Sequence, residues 1–217
     1  MIHNLNDQDS ILHQFIGEMR DHKIQQDRMR FRKNIERIGN IMAYEISKHL
    51  SYSDRAIETP LGATTFREPQ DRIVLSTILR AGLPLHNGFL QFFDYADNAF
   101  VAAMRRHHKD GSFEIRTDYV TTPKLDGCTL ILVDPMLATG ASIKSSIDLL
   151  LKHGTPKEIH IATIIASADG VQYVRREFPD AHIWTGAIDE ELTGKAYIVP
   201  GLGDAGDLAY GAKEALD

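Results

Sequence analysis

The sequence predicts an α/β fold, a largely parallel sheet with helices on both faces. Three observations predict it. Short, continuous apolar runs recur along the chain, as in Ile73 to Leu79 (IVLSTIL), and such runs suit strands buried on both faces. Stretches with apolar residues at three- and four-residue steps separate them. The two kinds alternate, and strand–helix alternation is the signature of parallel pairing through crossover helices.

Taken in order, the first 50 residues read as helix, with Ile35, Ile38, Met42, Ile46 and Leu50 forming one apolar stripe. TPLGA at Thr59 to Ala63 is turn chemistry and marks a change of style. The buried strand Ile73 to Leu79 comes next, then a helix over Leu83 to Asp94 and a strand around Ala99 to Met104. Between His107 and Thr122 the apolar content drops and Phe113, Ile115 and Tyr119 alternate, which predicts an exposed β-arm. Thr129 to Val133 is a strand and Ala141 to His153 a helix stopped by Gly154. Glu158 to Ala166 is a strand, Val171 to Phe178 a helix, and His182 to Thr185 a short strand. The expected organisation is one domain over 1–217, with a helical segment at 1–58, the arm at 107–122 and a distinct segment at 185–217.

Composition narrows the function. With 30 acidic and 24 basic residues among 217, the net charge is −6 and the pI near 5.9. A dedicated nucleic-acid binder needs a basic excess to meet phosphates, so no nucleic-acid partner is expected. No apolar stretch is long enough for a membrane span, and MIHNLNDQDS lacks the apolar centre of a signal peptide. A cytoplasmic location is the expectation. The lone Cys128 sits in an apolar run and reads as a small buried hydrophobe.

The chemistry concentrates in Leu130 to Ser142, LILVDPMLATGAS. A buried strand ends at Val133, so the loop from Asp134 onward lies at the carboxyl edge of the sheet, where such folds bind ligands. Asp134 is an acceptor suited to sugar hydroxyls. Ala138, Thr139, Gly140 and Ala141 are small enough for backbone N–H groups to close around a phosphate, and Thr139 and Ser142 add hydroxyls. The helix that begins here turns its N-terminal amides toward an anion. A plain capped turn is the bland alternative. The full arrangement of apolar strand, Asp, spacer, ATG, Ser and helix favours phosphate binding, and the absence of GK[ST] excludes a Walker A loop.

VDPMLATG, with proline after the aspartate, resembles the uracil phosphoribosyltransferases, members of the type I phosphoribosyltransferase superfamily. The resemblance extends to ILRAGL at 78–83, similar to the family's pyrophosphate loop, and to YIVPGLGDAGD at 197–207, similar to its uracil-binding tail. MRDHKIQQDRMRFRKNIERIGNIMAYE also resembles the family's opening helices. It implies the type I fold, with a protruding β-arm and a small C-terminal base-binding hood at 185–217. It further implies transfer of a phosphoribosyl group from phosphoribosyl diphosphate to uracil, giving UMP and diphosphate. Residues Asp134 to Ser142, including Pro135, Met136 and Leu137, would bind the donor. Arg80 would bind the diphosphate, in a turn that often carries a non-proline cis peptide. The family's arginine at the end of the next strand aligns with Arg106, one position from the equally suitable Arg105. Ile198, Gly203, Asp204 and Ala205 would hold uracil, with Asp204 also touching the donor or its Mg²⁺, an ion carried largely by the substrate. A homodimer or larger assembly packed through the N-terminal helices, and GTP as an effector, are further implications.

Other patterns carry less. Gly201 to Gly206 matches GxGxxG, but too few residues come after it for the dinucleotide unit. His107 and His108 lack metal-ligand spacing. The basic run Arg20 to Arg37 interleaves with Phe31 and Ile35 and reads as the solvated face of a packing helix. No side chain stands out as a general base. Two rival readings are a phosphoribosyltransferase for another base, and a nucleotide-sensing or RNA-binding regulator on the same fold. The GDAGD tail opposes purines. The acidic balance and intact Arg80, Asp134 and Asp204 oppose a regulator. Two departures from the family stand out: Ala141, where many members have a second glycine, and Tyr210-Gly-Ala in place of aromatic-Gly-Thr.

Overall fold

Eight strands of the computed structural model form one sheet, parallel except at one edge. The structure describes residues 1–107 and 113–212, without the side chains of 103–118. In chain order the elements are β1 (Ile2–Asn4), α1 (Leu12–Arg20), α2 (Arg28–Ser47), β2 (Tyr52–Thr59), β3 (Gly62–Pro69), β4 (Ile73–Leu79), α3 (Leu83–Leu90), β5 (Asp97–His107), β6 (Phe113–Thr121), β7 (Thr129–Val133), β8 (Met136–Leu137), α4 (Ala141–Leu150), β9 (Glu158–Ser167), α5 (Ala168–Glu177), β10 (His182–Asp189), β11 (Glu191–Leu192), β12 (Ile198–Val199) and α6 (Ala205–Tyr210).

The main sheet runs β1-β10-β9-β7-β4-β5-β6, with β8 also on β9. From β4 the chain moves one way to β5 and β6. It then returns to the other side of β4 and runs through β7, β9 and β10. The reversal falls between β4 and β7, and at their carboxyl ends the crossover connections part to open a crevice.

Alternate residues of the central strands feed two apolar layers. Ile73, Leu75, Ile131 and Val133 face α1, α2 and α3, packing on Ile16, Phe31, Ile38, Met42 and Leu85. Val74, Leu130 and Leu132 face α4 and α5, packing on Ile143, Ile147, Val171 and Val174. Burial on both faces explains why these strands read as unbroken apolar runs. Cys128 is fully buried, as expected of a small hydrophobe. Helix α2 starts where Asp27 caps it, its carboxylate accepting from the Met29 and Arg30 N–H groups at 3.0 Å. Backbones of α2 and α3 touch at Gly39 and Gly88: a Cβ on Gly88 would lie 2.2 Å from the Glu36 carbonyl oxygen.

Three regions differ most from what the sequence predicts. The segment 1–58 is not wholly helical: Ile2–Asn4 is an edge strand on β10, helix stops at Ser47, and Tyr52–Thr59 pairs with Gly62–Pro69 in a hairpin. That hairpin is almost entirely exposed, so neither face carries the apolar alternation that announces a strand. The arm begins before His107, because β5 outruns β4 after Ala102 and continues beside β6 alone. Finally, β10 extends to Asp189, so 185–189 belongs to the sheet.

Candidate active site at the carboxyl edge

The loop after β7 is fastened before it reaches its ligand-facing part. The Asp134 N–H donates to the Ala162 carbonyl at 3.1 Å, and the Pro135 carbonyl accepts from the Ile164 and Ile165 N–H groups. Met136–Leu137 then pair with β9 as β8. Pro135 and Leu137 therefore hold the loop on the sheet, and the Leu137 side chain is buried in the core. After Leu137 the backbone leaves β9. Met136 to Gly140, with Ser142, line a small cradle at the start of α4.

Gly140 caps α4 with φ of 80°, a left-handed conformation that suits glycine. A side chain there would also strike Tyr173 and Val174 of α5 at 2.8 Å. The Ala141 N–H points toward the Thr139 hydroxyl at 3.4 Å, so the helix start offers a cluster of small groups and N–H donors to an anion.

Two residues that the sequence does not single out lock this cradle from behind. The buried Ser167 hydroxyl donates to the Ala138 carbonyl at 2.5 Å and accepts from the Gly170 N–H at 2.9 Å. Gly170 lies so close that a Cβ would fall 2.1 Å from the Ala138 oxygen. The signal for Ser167 as a helix cap is present in SADG after an apolar strand. Its contact with Ala138 is tertiary and leaves no sequence trace.

Arg80 leaves the neighbouring strand β4 across a non-proline cis peptide, Leu79–Arg80. The turn is tight: a Cβ on Gly82 would fall 2.2 Å from the Thr77 hydroxyl and 3.0 Å from the Val133 carbonyl. The Arg80 turn thus packs against the last residue before Asp134. From there the Arg80 guanidinium reaches the C-terminal segment, donating to Asp207 at 3.2 Å and to the Gly211 carbonyl at 3.4 Å. The tail motif contains Asp207 but gives no sign of this partner.

The tail folds over the edge as a small hood. β12 pairs with β11, a cis Val199–Pro200 bond comes next, and Gly201 turns with φ of 56° against the Ile198 carbonyl. Ile198 has its side chain in the core. Gly203 takes φ of 95°, and Asp204 caps α6, accepting from the Asp207 N–H at 2.9 Å. Ala205 is buried as the first residue of α6. Gly206 lies inside this six-residue helix, far shorter than the helix a dinucleotide fingerprint opens.

A buried ion pair anchors the hood. Arg20 at the end of α1 makes two hydrogen bonds to Asp189, at 2.7 and 2.8 Å, and a third to the Gly201 carbonyl at 3.0 Å. Asp189 also accepts from the Gly201 N–H at 2.9 Å. Arg32 of α2 donates to the Ala209 carbonyl at 2.6 Å and lies over the Tyr210 ring. The basic run is thus divided between solvent and the hood rather than forming one free face.

Two contacts link these segments: the turn after Arg80 packs at Gly82 against the Val133 carbonyl, just before Asp134, and Arg80 itself bonds Asp207 of the tail. Arg105 and Arg106 lie on β5 beyond the end of β4, opposite Ile115 and Glu114 of β6. Their side chains, and those of His107 and His108, lie outside the described residues.

A family model for uracil phosphoribosyltransferase matches residues 6–212. A uracil phosphoribosyltransferase of Porphyromonas gingivalis is 53% identical over 211 residues, covering 97% of this chain and 98% of that one. Among solved structures, the AQ2163 protein of Aquifex aeolicus superposes with a TM-score of 0.87 at 30% identity, covering 97% of this chain and 98% of that one. A hypoxanthine phosphoribosyltransferase of Staphylococcus aureus shares the fold at a TM-score of 0.51 and 14% identity, over 74% of this chain and 76% of that one. The fold is that of the type I phosphoribosyltransferases.

Proposed function

The chain belongs to the uracil phosphoribosyltransferase family, and we propose that its carboxyl-edge cleft transfers a phosphoribosyl group from phosphoribosyl diphosphate to N1 of uracil. What supports this reading is a small pocket of the loop after β7 at the start of α4, together with Arg80 of the neighbouring strand tied to the glycine-rich tail. In the reaction the bond from C1 to the diphosphate oxygen breaks and the bond from C1 to N1 forms, through an oxocarbenium-like state, while the N1 proton of uracil passes to water. Ala138 to Ser142 anchor the 5′-phosphate. Asp134 accepts from the ribose hydroxyls. Arg80, with Arg106 or Arg105, stabilises charge on the departing diphosphate.

Uracil lies against Ile198, Gly203, Asp204 and Ala205, whose backbone groups read its fixed donor and acceptor pattern. A wrong base would leave buried polar groups unpaired there. The β5–β6 arm limits water at the cleft.

The donor set bears on the metal. Among the described residues no group of acidic side chains is gathered tightly enough to hold an ion by itself. That fits Mg²⁺ arriving on the diphosphate, with Asp204 adding an oxygen ligand, since Mg²⁺ commonly combines one or two carboxylates with substrate phosphates. Bound there, Mg²⁺ would neutralise charge on the leaving group. Membership of the family supports a homodimer or larger assembly packed through the N-terminal helices. Among the described residues no helix is long and apolar enough to cross a membrane.

Mixing the protein with donor, Mg²⁺ and each nucleobase in turn tests the activity: diphosphate release is expected with uracil and not with purines. Folded protein that releases none with uracil would overturn it. A second expectation concerns the cradle's backing. Gly170→Ala drives a methyl into the Ala138 carbonyl, so the cradle must shift, and KM for the donor is expected to rise about tenfold. Initial rates at varied donor concentration check this; an unchanged KM would remove Gly170 from the positioning role.

A further inference from the structure

At the amino edge of the sheet, away from the cleft, three histidines from separate parts of the chain converge. His3 lies in β1, His49 comes after α2, and His182 opens β10. One ligand nitrogen from each falls within 4.8 Å of the others, and His3 Nε2 and His182 Nδ1 are 3.1 Å apart. We propose that His3, His49 and His182 form a binding site for a divalent transition-metal ion of the zinc class, separate from the Mg²⁺ of the reaction.

The spacing suits such an ion. Nitrogens at ~2.0–2.1 Å from a tetrahedral Zn²⁺ lie about 3.4 Å from one another. The His3–His182 pair is already near that separation, and His49 is exposed, so its ring can swing inward to complete the set. Three imidazoles leave a fourth position for water. Borderline nitrogen ligands favour Zn²⁺, Ni²⁺ or Cu²⁺ over Mg²⁺, which takes oxygen.

The surroundings are built as a metal site's would be. Glu158 Oε1 lies 3.2 Å from His182 Nε2, positioned to accept its proton and so leave Nδ1 as the ligand atom. His3 stacks flat on Trp184, with ring centroids 3.8 Å apart and planes 6° from parallel. Trp184 is itself fixed by a hydrogen bond from its Nε1 to His160 Nδ1 at 3.1 Å. An ion here would staple β1 and the end of α2 to β10.

Trp184 is the only tryptophan of the chain, so the site carries its own reporter. Titrating the full-length protein with Zn²⁺ by calorimetry is expected to show one equivalent bound. Cu²⁺ is expected to quench Trp184 emission saturably, with Zn²⁺ competing and Mg²⁺ not. In hundredfold excess over its Kd, Zn²⁺ is expected to raise Tm by about 5 °C. His49→Ala, an exposed position, is expected to abolish the quenching and the shift while uracil transfer persists. Glu158→Gln is expected to weaken binding about tenfold. A wild-type protein that binds no Zn²⁺ overturns the proposal. So does binding that survives unchanged in both His49→Ala and His3→Ala.

Discussion

Arg20→Met is expected to destabilise the protein by about 3 kcal/mol at pH 7, the lower end of the range for removing one partner of a buried ion pair. The lower end applies because the Arg20 side chain retains 23% of its exposure while Asp189 retains only 8%. Methionine keeps much of the arginine's apolar stem, so the loss isolates the charge. Burial alone would push the Asp189 carboxyl up, but the Arg20 hydrogen bonds, the Gly201 N–H and the Arg20 charge outweigh it and hold it below the ordinary value. The pair's contribution is therefore fully present above the unfolded carboxylate pKa of about 3.9 and lost as pH falls through the lower folded value. In the variant the sign inverts. Burial without its partner raises the Asp189 pKa, so protonation relieves the buried charge and the deficit against wild type shrinks as pH drops from 7 toward 4. Urea unfolding at a series of pH values checks both parts; a deficit independent of pH would mean that packing, not charge, was lost.

Asp134→Asn is expected to lower kcat/KM for phosphoribosyl diphosphate on the order of 10²-fold with the fold intact. Asparagine preserves shape and the backbone N–H bond to Ala162 that fixes the position. It loses a charged acceptor for the ribose hydroxyls, and hydrogen bonds to charged groups contribute roughly 1.5–3 kcal/mol. Steady-state kinetics with near-ultraviolet circular dichroism as the fold control measures this. Wild-type turnover with an unchanged spectrum would remove Asp134 from the ribose role.

Legibility in the sequence tracks burial. Strand β7 is legible residue for residue, because all five of its residues are buried and the loop after it combines Asp, small residues and a helix start. Strands β4 and β9 are legible for the same reason. The β2–β3 hairpin is not, since Tyr52 to Thr59 present polar side chains on both faces and the TPLGA turn reads only as punctuation. Strand β1 has three residues and exists only because β10 offers an edge. In the candidate site, the loop from Asp134 to Ser142 and the Arg80 turn have local signatures. The Ser167–Ala138 clamp, the Arg80–Asp207 pair and the Arg20–Asp189 anchor do not: each joins residues at least 29 positions apart, and no short motif encodes such a meeting.

The anchor at Arg20 also sets an order of events on the ribosome. Arg20 and Gly201 are separated by 181 residues, which at roughly 5–20 residues per second amounts to about 10–40 s of translation. For most of that interval the α1 and α2 segments are present without β10 and the hood, and the apolar side chains Ile16, Met19 and Met42 lack part of their eventual cover. A nascent chain in that condition is a natural client for a chaperone that shields apolar helices. Ribosomes stalled short of codon 189 should hold it in that state longest.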